Sequence, residues 1–101
     1  MAAFEKAPEV DEDLQEIVLY TAERWGVAQV RKYMAGLELA MENTATGVAH
    51  TKSLDYLIKG LKVGRYERHY IFGVERPSAP MLILAVFHEK MSVLERLKDR
   101  L

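Results

Sequence analysis

Arg65-Tyr66-Glu67-Arg68-His69-Tyr70-Ile71-Phe72-Gly73-Val74 alternates and is rich in aromatic and β-branched side chains, while Met81-Leu82-Ile83-Leu84-Ala85-Val86-Phe87 is apolar without a break. Between them lies Arg76-Pro77-Ser78-Ala79-Pro80, a turn whose two prolines donate nothing to a strand ladder. The first stretch reads as a strand with Tyr66, Arg68, Tyr70, Phe72 and Val74 on one face. Glu67, His69, Ile71 and Gly73 then share the other face. The second stretch reads as a central buried strand. A shorter strand precedes both, because Leu61 and Val63 flank Lys62. Gly60 and Gly64 read as isolated turn glycines.

Upstream the apolar period is helical. Val10, Leu14, Ile17, Val18, Thr21 and Trp25 fall at spacings of three and four, a single stripe. Pro8 suits the first turn of that helix, and Glu9, Asp11, Glu12 and Asp13 crowd the positive end of its dipole. Asp11 and Asp13 therefore read as solvated first-turn carboxylates that support the helix. Gly26 stops it. Val30, Tyr33, Met34, Leu37, Ala40 and Met41 make a second stripe, ended by Asn43, Thr44, Thr46 and Gly47. Two helices joined across Gly26 form an antiparallel hairpin, and neither buries its stripe without a third surface. Residues 2–6 read as an edge strand through Phe4. Residues 44–56 read as a polar connection. At the other end Ser92 and Glu95 have capping-box spacing, and Val93, Leu94, Leu97 and Leu101 make a short amphipathic helix. The expected fold class is α+β: an N-terminal helical hairpin packed on a small twisted antiparallel sheet, with a short C-terminal helix.

The chain has 101 residues, 50% of them hydrophobic, and a formal net charge of −1. That predicts one domain over 1–101, able to bury roughly two-thirds of its unfolded surface. High apolar content argues against disorder. No apolar stretch approaches the roughly 18–20 residues of a membrane span. The N-terminal residues have no signal-peptide pattern, and the expected location is the cytoplasm. Cysteine is absent, which excludes disulfides and thiolate chemistry and fits a reducing compartment. The near-neutral total hides an asymmetry. Residues 1–50 carry nine acidic and four basic side chains, and residues 51–101 carry six acidic and ten basic. A basic second half is suited to nucleic acid or an acidic protein segment.

His50, His69 and His88 have no ligand spacing, so no metal site is expected. No phosphate-binding glycine loop or serine nucleophile elbow is present, and no cofactor is implied. The informative cluster is basic and aromatic. Arg65, Tyr66, Arg68, His69 and Tyr70 lie within six positions, and His88 and Lys90 close the strand expected to pair with theirs. A metal-independent ribonuclease needs a base, cations for the pentacovalent phosphate and an acid for the leaving oxygen. His88 would be that base, with Arg65 and Lys90 as charge stabilisers. Tyr70 and Phe72 read as core.

At this point the sequence resembles a known group. Asp13-Leu14-Gln15-Glu16-Ile17-Val18-Leu19-Tyr20-Thr21-Ala22-Glu23-Arg24-Trp25-Gly26 resembles the first helix of the RelE/ParE toxin superfamily. Gly64-Arg65-Tyr66 through Arg68-His69-Tyr70-Ile71-Phe72 resembles its central strands. Leu82-Ile83-Leu84-Ala85-Val86-Phe87-His88-Glu89-Lys90-Met91 resembles its last strand and turn. The ordered set covers nearly the whole chain and looks closest to ParE, the toxin type of type II toxin–antitoxin pairs. Gly73 departs from it, standing where many members carry a tyrosine, so that position takes no role.

The resemblance implies one of two activities. ParE-like members bind DNA gyrase and stabilise its cleaved-DNA complex; RelE-like members cleave messenger RNA on the ribosome. Nothing aromatic follows His88 and the chain is not strongly basic, which favours the ParE-like reading and no catalysis. The ribonuclease alternative would use His88, Arg65 and Lys90. A harmless interaction domain is a third possibility, sunk by toxicity on expression. The expected contact residues for target or antitoxin are Arg65, Arg68, His69, His88, Lys90 and Trp25. Expected partners are DNA gyrase and a cognate antitoxin with a DNA-binding N-terminal domain, in a toxin–antitoxin hetero-oligomer, with no membrane. The antitoxin would lie along the helical hairpin and the cationic sheet edge.

Overall fold

The computed structural model describes residues 3–101. The elements are β1 (Phe4–Lys6), α1 (Pro8–Trp25), α2 (Val27–Thr46), β2 (Lys52–Ser53), β3 (Leu61–Tyr66), β4 (His69–Arg76), β5 (Ala79–His88) and α3 (Val93–Arg100). All five strands join one sheet in the order β1-β5-β4-β3-β2. The fold is α+β, as the two periodicities predict. Residue 2 of the expected edge strand lies outside the described residues. β1 pairs with β5 in parallel, Phe4 opposite Met81 and Lys6 opposite Ile83, so the sheet is mixed. The antiparallel part runs from β2 to β5. β2 lies inside the stretch read from sequence as a polar connection.

α1 and α2 begin and end where the sequence places them. Pro8 opens α1, and Gly26 takes φ +87°, a conformation that suits glycine, between the two helices. Its N–H still donates to the Ala22 carbonyl at 3.0 Å, and its carbonyl accepts from Val30 at 3.2 Å. Gly47 ends α2 in the left-handed region. The hairpin lays Val10, Ile17, Leu37 and Met41 on one face of the sheet, against Ile71, Met81, Ile83 and Val86. The other face carries Leu61, Phe72, Ala85 and Phe87, covered by Leu97 of α3 and Leu54 of the β2–β3 connection. Each large side chain so buried contributes about 1.5–3 kcal/mol.

Three local expectations change. Residues 65–74 are not one strand. The chain turns at Glu67 and Arg68, so Tyr66 pairs with His69 and Arg65 with Tyr70. Tyr70, Phe72 and Val74 do share a face, as do His69, Ile71 and Gly73, but Tyr66 moves to the side of His69. Glu67 sits at φ 51°, rare for a non-glycine residue, and the Arg65 Nε donates to its carbonyl at 2.9 Å. Gly64 is a buried position within β3 rather than a turn. Ser92 caps α3 without a side-chain hydrogen bond. At φ −73° and ψ 75° it departs from the extended geometry that aims a hydroxyl at the first-turn amides.

Asp13 is the largest departure. It is buried, not solvated. Its Oδ1 accepts from Arg100 Nη2 and its Oδ2 from Arg100 Nη1, each at 2.7 Å. Oδ2 also accepts from the Val86 amide at 3.1 Å. The reason lies in the sheet. β1 pairs with β5 only as far as Ile83. At the next position β5 bulges: Phe72 pairs with Ala85 and Gly73 with Ile83, which leaves Leu84 as the extra residue. Arg100 Nη1 donates to the Leu84 carbonyl at 3.0 Å. One ion pair thus satisfies backbone groups along the edge of β5 that β1 leaves open.

Gly64 shows how closely α2 approaches β3. A Cβ built there would meet Thr44 Oγ1 at 2.5 Å, and that hydroxyl already donates to the Ala40 carbonyl at 2.7 Å. Gly64→Ala should therefore cost about 1–3 kcal/mol by overpacking. Adding Thr44→Ala should recover much of that loss. Urea unfolding of both singles and the double gives the coupling, and strict additivity would refute the contact.

Candidate functional site

α1 and α2 meet at Gly26, and the ends of β4 and β5 lie below that tip. The Glu67–Arg68 turn brings His69 to the first position of β4, opposite His88 at the last position of β5. Their rings meet edge to face, 5.2 Å between centroids. Tyr33 of α2 covers His69, with its hydroxyl 2.6 Å from His69 Nδ1. Tyr33 also stands edge-on to Tyr66, 5.1 Å away. Tyr66 reaches α2 because Gly36 has no Cβ; one built there would lie 2.0 Å from the Tyr66 hydroxyl. Tyr20 of α1 completes the floor, 6.4 Å from His88.

The electrostatics follow from burial. His69 is 8% exposed, and burial lowers its pKa to about 4, with the nearby His88 adding to the fall and Glu89 opposing it. Burial pushes the Tyr33 hydroxyl up to about 12, assisted by Tyr66 and Glu67. The Tyr33–His69 contact at neutral pH is therefore between two uncharged groups. His88 Nδ1 accepts from the Lys90 amide at 3.1 Å, which leaves Nε2 to carry the proton of the neutral ring.

These residues line a groove of about 570 Å³. It gathers Trp25, Arg68, His69, His88 and Lys90, five of the six residues named from sequence. Trp25 stands at its rim, 70% exposed. Arg65 lies elsewhere. Its Nη1 donates to the Tyr70 hydroxyl at 3.3 Å, on the face covered by α3, and its Nη2 to Glu89. Arg68 donates to the other oxygen of Glu89 at 2.8 Å. Glu89 is held below the usual carboxylate range by the Arg68 hydrogen bond first and by Arg65 and Arg68 charge after it. The set His88, Arg65 and Lys90 is thus divided between the two faces.

Tyr66 of the basic, aromatic cluster also lines the groove, as do Tyr20, Arg24, Lys32 and Tyr33, which sequence reasoning does not select. A signal was present. Tyr20 and Arg24 are four apart on α1, and Arg24 stacks over the Tyr20 ring at 4.9 Å. Among the described residues no group of three or more His, Cys, Asp or Glu is placed to hold a metal ion. Among them, too, no helix is long and apolar enough to cross a membrane.

The chain is similar in sequence to known proteins. The family model described as ParE toxin of type II toxin-antitoxin system, parDE, matches residues 4–93. A toxin ParE of Escherichia coli is 40% identical over 101 residues, a match covering 100% of this chain and 98% of that relative.

Proposed function

The chain belongs to the ParE toxin family of type II toxin–antitoxin systems, and from that membership we propose that it poisons DNA gyrase by binding and stabilising the cleaved-DNA complex. The observation that favours binding over cleavage is the position of Arg65. An acid–base ribonuclease would converge its cations and base on one scissile phosphate. Here Arg65 is tied to Tyr70 and Glu89, across the sheet from the Tyr33–His69 contact. What the groove offers instead is an exposed tryptophan with tyrosines and two arginines, Arg24 and Arg68, residue types enriched at protein interfaces.

The family implies a cognate antitoxin partner. We propose that it neutralises the toxin by covering the helical hairpin and the cationic end of the sheet, in a hetero-oligomer whose antitoxin also carries a DNA-binding N-terminal domain. Leu19, Val27 and Leu39 are exposed apolar positions on that hairpin, suited to a partner helix. Action on gyrase would place the protein in the cytoplasm.

Purified gyrase, ATP and relaxed plasmid test the proposal. Titrated toxin should abolish supercoiling and accumulate linear plasmid under cleavage-trapping conditions. Unaffected gyrase, with the toxin shown folded by circular dichroism, would overturn it. Ribosome-dependent cleavage would then be tested with His88→Ala and Arg65→Ala.

A further inference from the structure

The groove under the hairpin tip is chemically unlike the rest of the surface. Arg24, Lys32, Arg68 and Lys90 line it against a single carboxylate, Glu67, in a chain whose net charge is −1. Arg68 is engaged by Glu89. Among the described residues Arg24, Lys32 and Lys90 form no ion pair, so their charge is available to a ligand. Three separate elements supply these cations: α1, α2 and the chain just after β5. Their convergence depends on the fold and not on one run of basic sequence.

Aromatic faces stand beside the cations. Trp25 is 70% exposed at the rim, while the Tyr20 ring is already covered by the Arg24 guanidinium. A large aromatic ring left that open at the edge of a cationic groove is a platform for another flat ring. His88 adds its Nε2 to the hydrogen-bonding groups of the groove, because the Lys90 amide occupies its other nitrogen. Cations lining a groove with an open aromatic ring at its rim suit the phosphates and bases of a nucleic-acid strand. Paired bases are stacked on one another inside a duplex and cannot reach such platforms, so the match is to an unpaired strand.

We propose that this groove binds single-stranded DNA, with phosphates on Lys32, Lys90 and Arg24 and a base stacked on Trp25. The inference rests on the proposed function in one respect: a cleaved-DNA complex is where the toxin would meet such a strand. An acidic polypeptide would also be drawn to the cations, but it does not carry a flat ring with every charge, as a nucleic-acid strand does.

Trp25 is the one tryptophan of the chain, so its fluorescence reports occupancy of the groove directly. The full chain is titrated with a short oligothymidylate at low salt. Saturable quenching is expected, with log affinity falling against log salt by about 0.7 for each phosphate neutralised, hence a slope of roughly −2 for three. Lys32→Ala and Lys90→Ala should each flatten that slope by about 0.7 while unfolding is unchanged, since both side chains are exposed. Trp25→Ala, read by anisotropy of a labelled oligonucleotide, should weaken binding about tenfold.

Absence of binding would overturn the proposal. So would binding indifferent to the Lys32 and Lys90 changes. Equal quenching by polyglutamate, with the same salt slope, would overturn it in favour of an acidic-peptide site. The gyrase assay on the same samples separates the two conclusions. Gyrase poisoned without oligonucleotide binding would refute this inference alone; oligonucleotide bound with gyrase untouched would refute the gyrase reading alone.

Discussion

Asp13→Ala should lower the unfolding free energy by about 3–5 kcal/mol. The substitution removes both carboxylate acceptors of the Arg100 guanidinium, whose side chain is 19% exposed, and leaves its charge with only the Leu84 carbonyl and the Phe87 ring. It also orphans the buried Val86 amide. In a domain of this size the loss corresponds to a fall of roughly 12–25 °C in the thermal midpoint, measured by circular dichroism. Arg100→Ala should cost a similar amount, because it leaves Asp13 buried and unpaired. Replacing both, as Asp13→Leu with Arg100→Met, should recover part of the loss, since a buried ion pair is often no better than an apolar pair of similar volume. A fall of under about 4 °C for Asp13→Ala would show that solvent screens the pair, contrary to its burial.

Acid should weaken the fold below neutrality through His69. Its pKa is about 4 in the folded protein against an ordinary 6.5, so the unfolded chain binds the extra proton first. The stabilisation is complete well above 6.5, falls as pH drops below 6.5, and is fully lost near 4. From roughly pH 7.5 to roughly pH 5 the loss should be about 2 kcal/mol, or around 10 °C in the midpoint. His69→Gln keeps a polar partner for Tyr33 and removes the titration, so its midpoint should be nearly flat over that window. Equal slopes for the two proteins would refute the assignment. Glu89 is held below its ordinary 4.5, so its own contribution is lost only at lower pH and does not confuse the comparison.

Where one element decides its own conformation, the sequence was a sufficient guide. The stripes of α1 and α2, Gly26 between them, and the unbroken apolar run of β5 are local patterns, and each lies where its period places it. The β3–β4 turn was hidden because Glu67 and Arg68 are not turn residues; no glycine, asparagine or proline marks it. That single turn reverses the face on which Tyr66 lies and brings it beside His69, both against Tyr33 of α2. Asp13 was misread for another reason. A carboxylate in a first helical turn has a sufficient local explanation, and its partner Arg100 stands 87 positions away. The groove falls between these cases. Its β-strand half was visible as a basic, aromatic cluster, while its helical half, Tyr20, Arg24, Lys32 and Tyr33, becomes a site only when the hairpin tip is folded over the sheet.

The contacts that close the sheet join the two ends of the chain: β1 lies along β5, Arg76 meets Glu5, and Arg100 clamps Asp13. On a ribosome the helical hairpin emerges first, with Val10, Ile17 and Leu37 facing no sheet. The core cannot form until β5 has been made, and the clamp waits for Arg100, 87 positions after Asp13. Such long-range pairing also costs loop-closure entropy before it gives anything back. Folding therefore waits for β5 and α3, and a nascent chain passes through an interval in which its apolar helices are open to capture while the groove between the hairpin tip and the sheet does not yet exist.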